Sequence, residues 1–298
     1  MAKLFVIMGK SSTGKDTVYK ELLKSGSLKP IVMYTTRPMR EGETDGKEYF
    51  FTSDKDVEAY QAENKIIEMR SYNTIQGLWR YYTLDDGQID RNSDDKYVII
   101  ATLQAYEIYL AYYGSDMVIP IYIEVDDKAR IHRAIEREDR QHRPDYVEMC
   151  RRFLADEQDF SETRIKNAGV GKRYVNAILS DCVNEILLDI DKINYYIKIT
   201  EEQNLSVREL RQRIKNKEYE RLDEETKKKL KNKEELKVPD LVKNPIQIKN
   251  TSGNNEISEK VLQKLILEDI PSFLKELGNG FSFIDSCLLY TSPSPRDA

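Results

Sequence analysis

Gly9-Lys10-Ser11-Ser12-Thr13-Gly14-Lys15-Asp16-Thr17 sets two glycines, a lysine and hydroxyls at the spacing G-x-x-x-x-G-K. Gly9 and Gly14 let the backbone curl with its N–H groups inward, and the helix N-terminus that follows adds partial positive charge. The loop is therefore a cradle for the β- and γ-phosphates of a nucleotide, with Ser11, Ser12, Thr13, Asp16 and Thr17 along it. Lys15 would reach the transferred phosphate as a point charge. Asp16 stands where a serine or threonine usually ligates Mg²⁺; either Asp16 acts through water, or Thr17 substitutes, or metal affinity suffers. A second segment, Tyr34 to Phe51, carries Arg37, Arg40 and Tyr49. Two guanidinium forks and a phenol can saturate a monophosphate dianion. One nucleotide-phosphate site with a second anion site close by is the layout of a chain that moves a phosphoryl group between them.

These loops need particular elements to hold them. The apolar run Leu4-Phe5-Val6-Ile7-Met8 in front of the phosphate loop reads as a strand, and Val18, Leu22 and Leu23 behind it mark a helix. That strand–loop–helix context separates a true phosphate loop from a glycine-rich turn bearing a surface lysine. Val118 to Val125 is another strand, followed by Arg130-Ile131-His132-Arg133-Ala134-Ile135-Glu136-Arg137-Glu138-Asp139-Arg140 and then Arg143 and Arg151-Arg152. As a plain surface helix this stretch would be laced with Arg–Glu pairs.

The pattern T-T-R-x-x-R-x-G-E-x-[DN]-G-x-[DE]-Y-x-F is met by Thr35, Thr36, Arg37, Arg40, Gly42, Glu43, Asp45, Gly46, Glu48, Tyr49 and Phe51. On these residues the chain resembles the guanylate kinase family over about residues 1–197. The resemblance implies an α/β P-loop kinase: a parallel sheet with helices on both faces, an acceptor-binding insertion and a lid. It implies ATP as donor with Mg²⁺, and GMP or dGMP as acceptor, its phosphate held by Arg37, Arg40 and Tyr49. Glu68 falls where the family places a base-reading carboxylate, which can accept from guanine N1–H and the N2 amine. Tyr81 and Thr83 match the family's Y-x-[ST], the tyrosine helping to hold the phosphate and the hydroxyl the base. Arg133, Arg137 and Arg152 match its lid arginines, which with Lys15 would neutralise charge on the migrating phosphoryl group. The sequence departs from the pattern at Met33 (a base-contacting serine in the family), at Tyr82 (a glycine), in the longer Ser71–Trp79 segment, and at Ile100-Ala101-Thr102-Leu103-Gln104-Ala105, which lacks both carboxylates of D-x-D-x-Q-G. Two other readings stand beside the enzyme: a guanylate-kinase-like binding module with weak or no turnover, and a DNA-associated protein acting through its carboxy-terminal part.

The chain has 298 residues, enough for about two domains, and 47 basic against 52 acidic residues give a net charge of −5, which disfavours bulk attraction to nucleic acid. Cys150, Cys182 and Cys287 are too far apart for a metal or disulfide framework, and His132 and His142 read as lid-surface residues. No apolar run approaches a membrane span, so the expectation is a cytoplasmic protein whose partners are small nucleotides. Beyond Thr200 the composition turns to charged helical sequence through Lys237, opened by the capping box Ser206-Val207-Arg208-Glu209. Residues 198–285 resemble the helical N-terminal region of a PD-(D/E)xK-type nuclease family, carried by Ser206–Leu210, Val238-Pro239-Asp240-Leu241 and Phe273–Phe283, and stopping short of that family's catalytic core. Any nucleic-acid partner would act through 199–285 and is not favoured. An amphipathic helix is expected over Ile257–Leu277. Residues 286–298 resemble translated adaptor sequence and read as an artefactual, disordered tail.

Overall fold

Lys3–Met8 (β1) is buried at every position, a pattern that suits a strand covered on both faces. In chain order there follow α1 (Lys15–Lys24), β2 (Lys29–Pro30), β3 (Tyr34–Thr35), β4 (Phe50–Phe51), α2 (Asp54–Ala62), β5 (Ile66–Thr74), β6 (Gly77–Leu84), β7 (Lys96–Ile100), α3 (Leu103–Tyr113) and β8 (Val118–Glu124). Then come α4 (Asp127–Asp139), α5 (Tyr146–Asp159), α6 (Glu162–Asn167), β9 (Arg173–Val175), α7 (Leu179–Gln203), α8 (Val207–Lys215) and α9 (Glu224–Lys231). This computed structural model describes residues 2–40, 42–74 and 77–231, and the chain divides into two units, Met1–Ile193 and Asn194–Ala298. Among the described residues no helix is long and apolar enough to cross a membrane.

In the first unit a five-stranded sheet runs β2-β7-β1-β8-β9, every neighbouring pair parallel. Alternate β1 side chains divide between two cores. Leu4, Val6 and Met8 pack with Leu103, Ala105, Tyr106 and Tyr109 of α3. Phe5 and Ile7 pack with Val18 and Leu22 of α1 and with Cys182, Val183 and Ile186 of α7. Helices thus cover both faces. The chain leaves β1 at the centre of the sheet, with β7 on one side and β8 on the other, the switch point at which such sheets bind ligands beyond their strand ends.

A second sheet, β4-β3-β6-β5, is inserted between β2 and β7. Its long hairpin pairs β5 with β6 from Ile66–Leu84 out to Thr74–Gly77, which accounts for the extended Ser71–Trp79 segment. A bulge between Ile66 and Glu68 resets the register so that Glu68 opposes Thr83, Arg70 opposes Tyr81 and Tyr72 opposes Trp79. One face of the hairpin therefore carries both Glu68 and Thr83. The other face carries Tyr82, fully buried with Val57 and Leu84, its hydroxyl 2.6 Å from Thr52 Oγ1. A tyrosine in place of the family's glycine thus fills a core.

The second unit holds its own small core of Tyr195, Tyr196, Ile199, Tyr219 and Leu222. The Ser206–Glu209 capping box opens α8 in both directions, Ser206 N–H donating to Glu209 Oε2 and Glu209 N–H to Ser206 Oγ. The expected run of charged helix does not continue unbroken. It stops at Lys215, and a short 3₁₀ turn, Tyr219–Arg221, intervenes because Tyr219 and Leu222 turn into the core. Asp223 then opens α9, accepting from Thr226 N–H at 2.7 Å. The Val238–Leu241 and Phe273–Phe283 stretches, the Ile257–Leu277 helix, Cys287 and the 286–298 tail lie outside the described residues.

Candidate active site

The phosphate loop is shaped by two positions that need glycine. Gly9 has φ +153°, and a Cβ there would stand 2.4 Å from the Ile123 carbonyl oxygen of β8. Gly14 has φ +84° and precedes α1 directly, and a Cβ there would stand 2.6 Å from Asn176 Nδ2. Between them Ser12 takes φ 63°, a left-handed residue within the curl. The loop is tied inward by Thr13 Oγ1 and Lys15 Nζ, both donating to the Lys10 carbonyl at 2.9 Å. Burial lowers the Lys15 pKa, opposed by Asp16 and Asp156 and reinforced by Arg130 and Arg137. An ammonium held where burial disfavours its charge is poised to gain from an anion. Asp16 and Thr17 are exposed in the first turn of α1.

Other elements brace the loop. Asn176, just past β9 and buried, donates from Nδ2 to the Thr13 carbonyl at 2.8 Å, while its own carbonyl accepts from Arg133 at 3.0 Å. Arg130, buried on α4, donates through Nε to the Ser11 carbonyl at 3.2 Å and pairs with Asp127, Asp156 and Glu157. Asp156 of α5 accepts from Ser11 N–H at 2.7 Å, and Lys10 Nζ reaches Glu157 at 2.6 Å. Both α4 and α5 thus touch the loop. Arg133 stands beside Gly14, 4.0 Å from where its Cβ would be, and Arg137 is near enough to Lys15 to perturb it. Arg152 is not brought to the loop here. It is exposed on α5 and donates to Glu148 one turn earlier, at 2.7 Å.

The acceptor segment closes around Arg37. Its guanidinium is buried, donates to both oxygens of Glu43 at 2.8 and 2.5 Å and to the Pro38 carbonyl, and lies 5.1 and 5.3 Å from the ring centres of Tyr49 and Phe51. Three of its five N–H groups are so engaged among the described residues. The Arg37 bond holds the Glu43 carboxyl down at about 2. Arg40 is exposed, with its backbone N–H on Glu43. The Tyr49 ring meets Tyr81 edge-on at 5.6 Å, and Tyr81 meets Tyr72 at 5.8 Å. The Tyr49 pKa is raised by burial and by Tyr81, lowered by Arg37 and Arg70, and raised again by Asp16.

Deeper on β5, Glu68 is buried, and neither carboxylate oxygen has a well-aligned hydrogen bond. Arg70 Nε lies 2.5 Å from Oε1 without that alignment. Burial raises the Glu68 pKa, against the pull of Arg70 and Tyr109. Thr83 Oγ1 shares a 2.7 Å hydrogen bond with Tyr109 Oη. Thr102, in place of a family carboxylate, caps α3 by accepting from Ala105 N–H at 3.2 Å.

Arg70, Arg130, Asn176 and Asp156 were absent from the sequence-derived site. For Arg130 the signal was present: Arg130, Arg133 and Arg137, at i, i+3 and i+7, fall on one helix face. Asn176 and Asp156 reach the loop from more than 140 residues away, and spacing carries no trace of that.

Fold and loop define the class: an α/β phosphate-loop protein with a second, four-stranded sheet inserted. Comparison with known proteins narrows it. Residues 1–100 match the family model described as guanylate kinase, so this amino-terminal segment carries guanylate kinase family sequence. The chain is 48% identical over 65 residues to the guanylate kinase of Clostridium tetani, covering 22% of this chain and 31% of that protein. It is 42% identical over 71 residues to that of Thermobifida fusca, covering 24% and 36%. The alignments thus span less than half the length of these relatives. The crystal structure of guanylate kinase from Anaplasma phagocytophilum is similar at a TM-score of 0.41 and 20% identity, over 62% of this chain and 82% of that one. These matches give no support to the nuclease resemblance of the carboxy-terminal part.

Proposed function

We propose that this protein transfers the γ-phosphoryl group of ATP to the phosphate of GMP or dGMP, yielding ADP and the diphosphate. Two anion grips within one unit support the reading: Lys15 with its loop at the start of α1, and, in the inserted sheet, the Arg37 guanidinium over Tyr49 with Tyr81 edge-on to that ring. In the reaction an acceptor phosphate oxygen forms a bond to the γ-phosphorus as the bond to the β–γ bridging oxygen breaks, and ADP leaves. The chain's part is positioning and charge. Lys15 and the loop amides hold the donor's phosphates; Arg37, Arg40, Tyr49 and Tyr81 hold the acceptor's phosphate in line; Glu68 and Thr83 take the base. Arg133, beside Gly14, and Arg137 neutralise negative charge as it spreads over the moving group, and Arg152 joins them on closure of the lid.

Among the described residues no cluster of three or more His, Cys, Asp or Glu could hold a metal alone. The oxygens of Asp16 and Thr17 do suit a hard cation bound chiefly through phosphates. Bound there, Mg²⁺ would supply neutralisation of the donor's terminal phosphates.

The test is ADP release with ATP and each of GMP, dGMP, AMP, UMP and CMP, for the wild type and Lys15→Ala. Turnover with a guanine monophosphate that Lys15→Ala abolishes supports the reading. GMP binding with no turnover would instead mark a binding module.

A further inference from the structure

Arg70 has no assigned role, yet it is a partly buried cation beside a buried carboxylate in the proposed base site. Glu68 and Arg70 are two residues apart on β5 and so project from one face, opposite Thr83 and Tyr81. Neither Glu68 oxygen nor Arg70 Nε has a well-aligned hydrogen-bond partner. Besides its 2.5 Å approach to Glu68 Oε1, Arg70 makes a contact from a terminal nitrogen to Met33 Sδ at 3.6 Å, a weak acceptor. Arg70 also lines a cavity of about 330 Å³ with Tyr72, Thr102, Gln104, Asp159 and Arg164, behind which Glu68 lies buried, a volume at the low end of small-ligand sites. Beyond their mutual contact, the carboxylate and the terminal nitrogens of the guanidinium lie side by side and present acceptors followed by donors.

Guanine presents the complementary series. N1–H and the N2 amine donate, and next to them O6 and N7 accept; a guanidinium paired with O6 and N7 is a familiar contact to this base. Adenine offers an acceptor at N1 and a donor amine at C6, which would set like against like. Met33 and Thr102 do not fill the gap, since a thioether has no donor and Thr102 is committed to capping α3. We infer that Arg70 is a specificity residue that donates to O6 and N7 of the acceptor base while Glu68 takes N1–H and the N2 amine. This rests on the guanine-nucleotide reading above. It differs from a purely structural role, in which Arg70 does no more than keep Glu68 ionised.

Calorimetric binding of the full chain separates the two. GMP and 7-deaza-GMP, in which a C–H replaces N7, are titrated into the wild type, Arg70→Met and Arg70→Lys, with folding checked through Trp79 fluorescence. The wild type should bind 7-deaza-GMP on the order of tenfold more weakly than GMP. Arg70→Met should lose on the order of 100-fold in GMP affinity and bind both nucleotides within about twofold of each other. Arg70→Lys keeps the charge but not the fork, so it should retain more GMP affinity while also losing the preference. A GMP to 7-deaza-GMP ratio unchanged in both variants overturns the inference and leaves the guanine reading standing. A wild type that binds no GMP overturns both.

Discussion

Replacing Gly9 by alanine tests how the phosphate loop is held against the sheet. The new methyl would lie 2.4 Å from the Ile123 carbonyl oxygen and 3.1 Å from Thr13 Oγ1. Ordinary contact needs a separation larger by about 1 Å. Ile123 cannot yield that distance cheaply, because it is buried in β8 and paired with Tyr174 of β9. A backbone at φ +153° adds strain on the order of 1–3 kcal/mol for an L-residue, and overpacking against a fixed carbonyl about the same again. The sum, roughly 2–6 kcal/mol, is a large share of the 5–15 kcal/mol typical of a folded domain. Gly26→Ala is the internal control: φ is +71°, but nothing lies within 4 Å of its Cβ, so strain of about 1–2 kcal/mol acts alone. Urea denaturation followed through Trp79, the chain's single tryptophan, should place the Gly9→Ala midpoint well below that of Gly26→Ala. ATP affinity, measured by calorimetry, should fall by more than tenfold only for Gly9→Ala, since a loop displaced by about 1 Å no longer converges its amides on phosphate. If Gly9→Ala matches Gly26→Ala in both measurements, the close approach of loop to β8 does not govern the site.

Asn176 offers a second handle on the loop. Asn176→Ala removes the donor to the buried Thr13 carbonyl, at a cost of about 1–3 kcal/mol, and should weaken ATP while leaving GMP affinity unchanged by calorimetry. Asn176→Asp should be worse than alanine, since it sets a carboxylate against that carbonyl. The Arg37–Glu43 pair carries a pH signature. Glu43 titrates near 2 when folded, below the usual glutamate value, so its contribution is present above about pH 4.3 and is lost as pH falls through about 2. Melting temperatures of the wild type and Glu43→Gln should therefore differ at neutral pH and converge as the pH falls toward 2.

The parts of the site written in consecutive residues were legible in the chain. The loop at 9–17, the Arg37–Phe51 segment and the alternation of Tyr81 with Thr83 each lie within one turn or strand, so spacing alone places their side chains. The parent sheet followed from the unbroken apolar β1 and β8. What could not be read was whatever depends on distant backbone. The bulge at Ile66–Glu68 decides that Glu68 opposes Thr83, and no residue in β5 announces it. The Asp156–Ser11 and Asn176–Thr13 contacts join elements that only the parallel sheet order brings together. Tyr82, a departure from the family pattern in sequence, is explained once its ring is seen facing Val57 and Leu84. The break between α8 and α9 depends on two apolar residues, Tyr219 and Leu222, outweighing a long run of helix-favouring charge.

The central claim is that donor and acceptor phosphates are gripped at once in one cleft. A single molecule joining adenosine and guanosine through five phosphates measures this directly. Calorimetry should show it binding at least 100-fold more tightly than either ATP or GMP, with the gain lost in both Lys15→Ala and Arg40→Ala. Affinity no greater than that of ATP, and indifferent to Arg40→Ala, would place the two grips in separate sites and contradict the account.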